Sequence, residues 1–292
     1  MDFLQLKYFK TTAELEHISK ASQFLLVSQP ALSITIKKLE EELGCPLFDR
    51  VGKNIKLNAN GEIVLKYVNK IFRNVSDMKR ELSDANETDK GEVTLSIVAS
   101  TGWLPEIVTG FKKLYPNIDI VINQKEYTNR DNNADLYIYS STEPAKSDEI
   151  MLLKENCLLA VPENHRLAEC QYPLNDEKIA QLKDDSFFVM ENHKPLWDIT
   201  YNICRSAGFI PHTAIECDSR DTVFSLVEAG LGVAFVPQIT WERSYKVKGI
   251  AVKSIEKPAY RYIIMKTSDG FMPAYVRKFK DFIIEFYASK KI

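Results

Sequence analysis

Residues 28–44 read SQPALSITIKKLEEELG. At about 100° per residue, Leu32, Ile36, Leu39 and Leu43 share one narrow face, as on a helix that buries a single stripe. Ser28 can cap that helix and Pro30 suits its first turn, while Gly44 and Pro46 stop it. Ile34 does not belong to the stripe. It lies roughly 200° from Leu32, on the far side with Pro30 and Lys37. A single apolar residue on a wet face is ordinary in itself, and only a groove around it would give Ile34 a partner.

Working outward, Leu4, Tyr8 and Phe9 fit a first helix. Ser19 to Leu26 gives a second, with Ala21, Phe24 and Leu25 facing inward. After the quoted helix, Leu47-Phe48 leads into Arg50 to Leu57, whose Gly52-Lys53-Asn54 centre reads as a hairpin tip. Two helices joined by a tight turn and followed by a hairpin form the pattern of a winged helix-turn-helix, whose second helix enters the DNA major groove. A small helical domain that binds protein is the competing reading. The sum of charges does not separate them: residues 1–58 hold Lys/Arg at 7, 10, 20, 37, 38, 50, 53 and 56 against Asp/Glu at 2, 14, 16, 40, 41, 42 and 49. Their distribution orients the helix. Lys37, Arg50, Lys53 and Lys56 belong to the helix and wing, whereas Glu40 to Glu42 sit at its far end, away from phosphates.

From Asn58 to Glu87 the pattern is a long helix. Val64, Val68, Ile71, Val75, Met78 and Leu82 are spaced 4, 3, 4, 3 and 4, the a/d seam of a coiled coil. An amphipathic helix packed on its own domain would also use Ile63 and Tyr67. Pairing with a second chain is the preferred reading, and it implies two DNA-reading heads on a two-fold symmetric site. Asp84 to Gly91 (DANETDKG) is polar and breaks the helix.

Beyond it, strands at 92–100, 118–122, 134–138, 158–161, 187–190, 213–217 and 232–236 alternate with helices at 103–114, 196–207, 220–229 and 274–289. Such alternation predicts an α/β domain with mainly parallel sheets, in one sheet or two lobes. The helix at 274–289 could return to the first lobe, leaving two crossings and a cleft.

Composition bounds the function. Of 292 residues, 45% are hydrophobic and 27% charged, enough apolar residue for ordinary cores. A net charge of −2 excludes an indiscriminate polycation but not a local DNA reader. MDFLQLKYFK lacks the apolar core of a signal peptide, and no run of about 18 apolar residues suggests a membrane span. Cys45, Cys157, Cys170, Cys204 and Cys217 are scattered and odd in number, which fits a reducing cytoplasm. The chain has no GxSxG, P-loop, HExxH or strand-borne GxGxxG, and its four histidines show no metal spacing, so neither an enzyme nor a cofactor is expected.

These residues resemble the LysR-type transcriptional regulators over essentially the whole chain. The similarity is densest in SQPALSITIKKLEEELGCPLFDRVGKNIKLNANGE, residues 28–62, with weaker matches at Tyr115-Pro116, Asp135-Leu136 and Val227 to Ala234 followed by Pro237. The resemblance implies a winged helix-turn-helix (1–58), a dimerising linker helix (59–88) and a two-lobed effector domain like the periplasmic binding proteins (91–292). Lobe I would hold about 91–162 and 267–292, and lobe II about 163–266. It further implies dimers assembled into tetramers, a small effector in the interlobe cleft that changes DNA bending, and RNA polymerase as a possible further partner. Two departures stand out. Position 34 carries Ile where relatives often have a polar or basic residue, and Asn58 replaces a usual Thr, with equivalent capping expected.

For DNA, Ser28, Gln29, Pro30, Ser33, Ile34 and Lys37 form the reading face. Gln suits adenine edges, Lys guanine or phosphate, and Ile34 the methyl of thymine. Arg50, Lys53 and Lys56 would mostly neutralise phosphates. For the effector, Ser100, Thr101 and Gly102 end a strand and open a helix, where free N–H groups and hydroxyls suit an anion. Thr128 is a second wall, with Phe188, Val189 and Tyr201 as apolar contacts. Two other readings remain: a redox regulator using Cys204 and Cys217, and a solute-binding protein without DNA function, which leaves residues 28–57 unexplained.

Overall fold

The computed structural model describes residues 1–51, 54–84, 90–124, 134–190, 194–217, 219–242 and 248–290. The chain divides into two compact units, one built on the segment up to Thr88 and the other on most of the rest.

In the first unit, α1 (Phe3–Leu15) starts at a capping box. Gln5 N donates to Asp2 Oδ1 at 2.8 Å while Asp2 N donates to Gln5 Oε1 at 2.8 Å. Its inward face is Leu6, Phe9 and Ala13, and the expected Leu4 is exposed, half a turn from that stripe. In α2 (Ile18–Phe24), the small Ala21 and Ser22 make the close contact, so Leu25 leans inward and Phe24 points out at 74% exposure. That corrects the inward placement of Phe24. Leu26 then takes the left-handed conformation, φ +56°, and turns the chain into α3 (Gln29–Leu43). Leu32, Ile36 and Leu39 are buried and Leu43 lies at the rim.

The wing pairs β1 (Phe48–Val51) with β2 (Asn54–Leu57) in antiparallel register, Phe48 opposite Leu57. Glu16 fastens the wing's base by accepting from Leu57 N at 3.0 Å. Asn58 Oδ1 caps α4 (Ala59–Asp84) by accepting from Gly61 N at 3.0 Å. A side chain at Gly61 would meet Leu47 O at 2.3 Å, so only glycine lets α4 approach this closely. Leu65 and Val68 complete the head's core.

The second unit opens with β3 (Gly91–Ile97), a 3₁₀ turn at Thr101–Trp103, α5 (Leu104–Leu114), β4 (Ile118–Asn123) and β5 (Leu136–Ser141). Next come β6 (Glu149–Pro162), α6 (Asp176–Ala180), β7 (Ser186–Met190), α7 (Lys194–Ser206), β8 (His212–Cys217) and α8 (Arg220–Glu228). The chain finishes with β9 (Ala234–Pro237), β10 (Ile250–Lys253), β11 (Tyr260–Thr267) and α9 (Ala274–Ser289).

One lobe has the order β4-β3-β5-β11-β6. The other uses the second half of β6 between β9 and β10, with the parallel pair β7–β8 bridged to Val233 by Phe187. Helix α9 returns to the first lobe, where Phe279 meets Phe111 with tilted rings at 4.6 Å and Tyr287 meets Trp103 edge-on at 5.3 Å.

The sheets are mixed rather than mainly parallel. Among the described strands, β3–β4, β3–β5 and β7–β8 pair in parallel, whereas β6 runs antiparallel to β9, β10 and β11, and β11 antiparallel to β5. Residues 149–157, 250–253 and 260–267 form strands that sequence patterning missed. Glu155 and Arg261 are 0% and 1% exposed as a cross-strand pair, so a buried ion pair masked both runs as polar.

Candidate functional site

On α3, the N-cap Ser28 accepts from Ala31 N at 3.3 Å, and Gln29 Oε1 accepts from Ser19 Oγ at 3.1 Å, which tethers α2 to the start of α3. Ser28, Gln29, Pro30, Ile34 and Lys37 are exposed and Ser33 is half-buried. Ile34 stands 56% exposed, opposite the buried stripe as its spacing requires. Lys37 reaches Glu41 at 3.5 Å on a wet surface, a pair weak enough to yield to a phosphate. At the other end of α3, Glu40 accepts from Leu47 N at 2.7 Å and Glu42 meets the terminal amine at 2.5 Å, so these acids serve the domain's own structure.

Arg50 lies opposite Ile55, and Lys56 opposite Asp49, so these two exposed wing cations point to opposite faces of the hairpin. Lys53 lies outside the described residues.

Helix α4 divides the six expected seam residues. Val68 is 1% exposed and belongs to the head's core, so it is not available to a second chain. The reason is angular: Leu65, unread as core in the sequence, lies on the side of α4 that packs on α1 and β2. Val64 and Ile71 pack partly on the same core, and Val75 is half-buried. Met78 and Leu82 are 54% and 63% exposed. Ile63 and Tyr67, each 59% exposed, continue the uncovered row on the N-terminal half of the helix.

In the second unit, Ser100 adopts φ +55° and is 4% exposed. Its hydroxyl donates to Ala99 O at 2.6 Å and pairs with Tyr287 OH, so it is spent internally and does not cap the turn that follows. Burial pushes the Tyr287 phenol well above its ordinary range, keeping it neutral. Thr101 is exposed and Gly102 half-buried.

Phe188 and Val189 are 3% and 8% exposed in the lobe core, beside a space of about 10 Å³ that also touches Thr200 and Trp241. That is room for roughly one water, so these two side chains are packing and do not line an open site. Tyr201 is half-buried with its ring 6.0 Å from Trp197. Thr128 lies outside the described residues.

Arg220 was missed. It opens α8 and its guanidinium lies over Gly102, where an added methyl would sit 2.5 Å from Nη1. Its Nε donates to Asp221 Oδ1 at 3.1 Å, an acid in the same first turn.

Cys204 is buried, and burial pushes its thiol up to about 12. Cys217 is half-buried with Sγ 3.7 Å from Val189 O, and all five cysteines are free. Among the described residues no His/Cys/Asp/Glu group could hold a metal ion, and no helix is long and apolar enough to cross a membrane.

A winged head with a polar, outward-facing helix, joined to a two-lobed α/β unit, defines a DNA-binding regulator with a ligand-binding domain. Comparison with known proteins carries this to a family. Residues 3–62 match the bacterial regulatory helix-turn-helix protein, lysR family, and residues 86–288 match the LysR substrate binding domain. The chain belongs to the LysR family of transcriptional regulators. Among relatives, the transcriptional dual regulator GltC of Bacillus subtilis is 29% identical, covering 99% of this chain and 98% of its own. An HTH-type transcriptional regulator of the same organism, YwbI, is 32% identical over 82% of this chain and 80% of its own. Among solved structures, a full-length OxyR variant from Pseudomonas aeruginosa superposes with TM-score 0.70 at 23% identity, covering 97% and 94% of the chains. CbnR complexed with its target DNA gives 0.63 at 19% identity, covering 98% and 99%. At these identities the two structures speak for the fold alone.

Proposed function

We propose that this regulator reads a two-fold symmetric DNA site with Ser28, Gln29, Pro30, Ser33, Ile34 and Lys37, and neutralises flanking phosphates with Arg50, Lys53 and Lys56. The observation that carries the reading is the sidedness of α3. Its apolar stripe is consumed by the head's core, and the opposite face keeps hydrogen-bonding groups and one isoleucine exposed. Two heads are held together through the uncovered row of α4, with Met78 and Leu82 at its C-terminal end and Ile63 and Tyr67 at its N-terminal end, while Ile71, Val75 and Val64 flank it. The working divisions are a head to residue 58, a linker helix to 88 and an effector domain from 91. The effector domain has lobe I at about 91–162 and 267–292 and lobe II between them.

A small effector enters between the lobes at Thr101 and Gly102, with Ser100 shaping the loop from inside and Thr128 and Tyr201 as outer walls. The protein works in the cytoplasm, controls transcription and catalyses no reaction. GltC is named a transcriptional dual regulator, which supports control of transcription by this chain. The redox alternative is disfavoured by the buried, protonated Cys204 thiol.

The experiment is selection of bound duplexes from a random pool by the full chain. The expected winners carry an inverted repeat with half-sites one or more helical turns apart. Winners with a single unrepeated site, or no enrichment, would overturn the reading.

A further inference from the structure

Between α6, α7 and the connection from β10 to β11 lies a groove of about 330 Å³. Ile199, Asn202, Ile203 and Ser206 recur at helical spacing, so one face of α7 supplies a whole wall. The floor is apolar: Ile179, Ile199, Ile203 and Ile255 are each 9% exposed or less and belong to the core of that lobe. Thr142 and Glu143, just beyond β5, close one side, while Asn202 and Ser206 stand at the exposed rim.

A wider groove of about 530 Å³ adjoins the first, sharing Asp176, Lys257 and Pro258 and adding Glu177 and Glu256. Together the two are lined by four carboxylates and a single ammonium, that of Lys257. That ammonium is already engaged by Asp176, and the neighbouring Lys154 holds its own 3.6 Å from the centre of the Tyr260 ring. The carboxylates of Glu143, Glu177 and Glu256 bond to no described residue. An apolar floor therefore meets a rim of uncompensated negative charge.

We propose that this groove is a second ligand site of the effector domain and takes a small organic amine with an apolar body. The body lies on the four isoleucines, and the ammonium turns to Glu143 and the acidic end. Small-molecule sites of roughly 300–1,000 Å³ combine such an apolar lining with a few polar groups that fix orientation. Burial of the body supplies most of the affinity, because exposed ion pairs contribute little each. The charge sets selectivity, since an anion of the same shape would be repelled by every free carboxylate of the rim. None of the lining residues belongs to the effector site assigned above at Thr101, Gly102, Thr128 and Tyr201. Loss of that site would leave this one unchanged.

Thermal unfolding of the full chain is measured with phenethylamine and tryptamine at millimolar concentration and constant ionic strength. Phenethyl alcohol and hydrocinnamate keep the apolar body and make the charge zero or negative. At about ten times its dissociation constant, an amine should raise the midpoint by roughly 2–4 °C while the alcohol and the acid do not. Glu143→Gln should weaken the response at least several-fold. Asn202→Trp, which fills the groove from its exposed rim and removes no core residue, should abolish it. No shift with either amine, or an equal shift with phenethyl alcohol, overturns the proposal. A Glu143→Gln or Asn202→Trp protein that responds like the parent does so too, because the amine then binds elsewhere. Sedimentation of Asn202→Trp tests the other occupant: a smaller species, with a parent that ignores amines, would overturn the ligand site and assign the groove to a second copy of the chain.

Discussion

Glu155 on β6 and Arg261 on β11 face each other across neighbouring antiparallel strands, with Arg261 Nε donating to Glu155 Oε1 at 3.1 Å. The second carboxylate oxygen accepts from Ile239 N and Thr240 N at 2.9 and 2.8 Å, and Thr240 Oγ1 joins both partners. Every lone pair of consequence is used in a nearly dry site. Glu155→Ala should therefore cost about 3–5 kcal/mol, since it strands a buried guanidinium. Glu155→Leu combined with Arg261→Met should recover much of that loss, as read by urea unfolding. A single Glu155→Ala change that costs under about 1 kcal/mol would contradict the account.

Leu26 is held at φ +56° and is 92% exposed, so it bears left-handed strain with no compensating burial. A non-glycine residue there costs roughly 1–2 kcal/mol, less for asparagine. Leu26→Asn is expected to raise stability by about 0.5–1 kcal/mol, seen as a higher urea midpoint. An unchanged or lower midpoint would indicate that Leu26 earns its place through a contact within the folded chain.

Substitutions on opposite sides of α4 should separate folding from association. Val68→Ala removes core methyls and should destabilise the head by about 1–3 kcal/mol. Met78→Glu with Leu82→Glu should leave stability of the isolated fold alone and shift sedimentation toward a smaller species. If Val68→Ala dissociates the protein and the glutamates do not, the assignment of faces is inverted.

Cys204 should be inert. With its thiol pushed up to about 12 by burial, almost no thiolate exists at pH 8. A chromogenic disulfide reagent should label it only after denaturation. Native-state labelling of Cys204 as fast as a free thiol, or loss of DNA binding on brief peroxide treatment, would reopen the redox reading.

The head was legible because its signals are local. Ser28, Pro30 and Gly44 punctuate α3, and the Leu32–Ile36–Leu39 stripe places it, so Ile34 could be assigned outward from spacing alone. Phe24 was misplaced because the close contact is made by small residues, Ala21 and Ser22, which carry little hydrophobic signal. Val68 fits a seam and a core equally well by period, and only Leu65 beside it decides. The crossing strands were hidden by Glu155 and Arg261, whose partners lie about a hundred positions apart. Arg220 and Gly102 belong to different lobes, and no pattern along the chain joins them.

Affinity for the protein's own promoter fragment against random duplex, at physiological salt, tests the central claim most directly. Specific sites are typically bound 10³-fold or more tightly than random DNA, and that margin is expected here. Ile34→Ala should weaken the specific complex by on the order of 1 kcal/mol, about fivefold, through one thymine-containing position and leave random binding unchanged. Equal affinity for both duplexes in the parent protein would contradict the account.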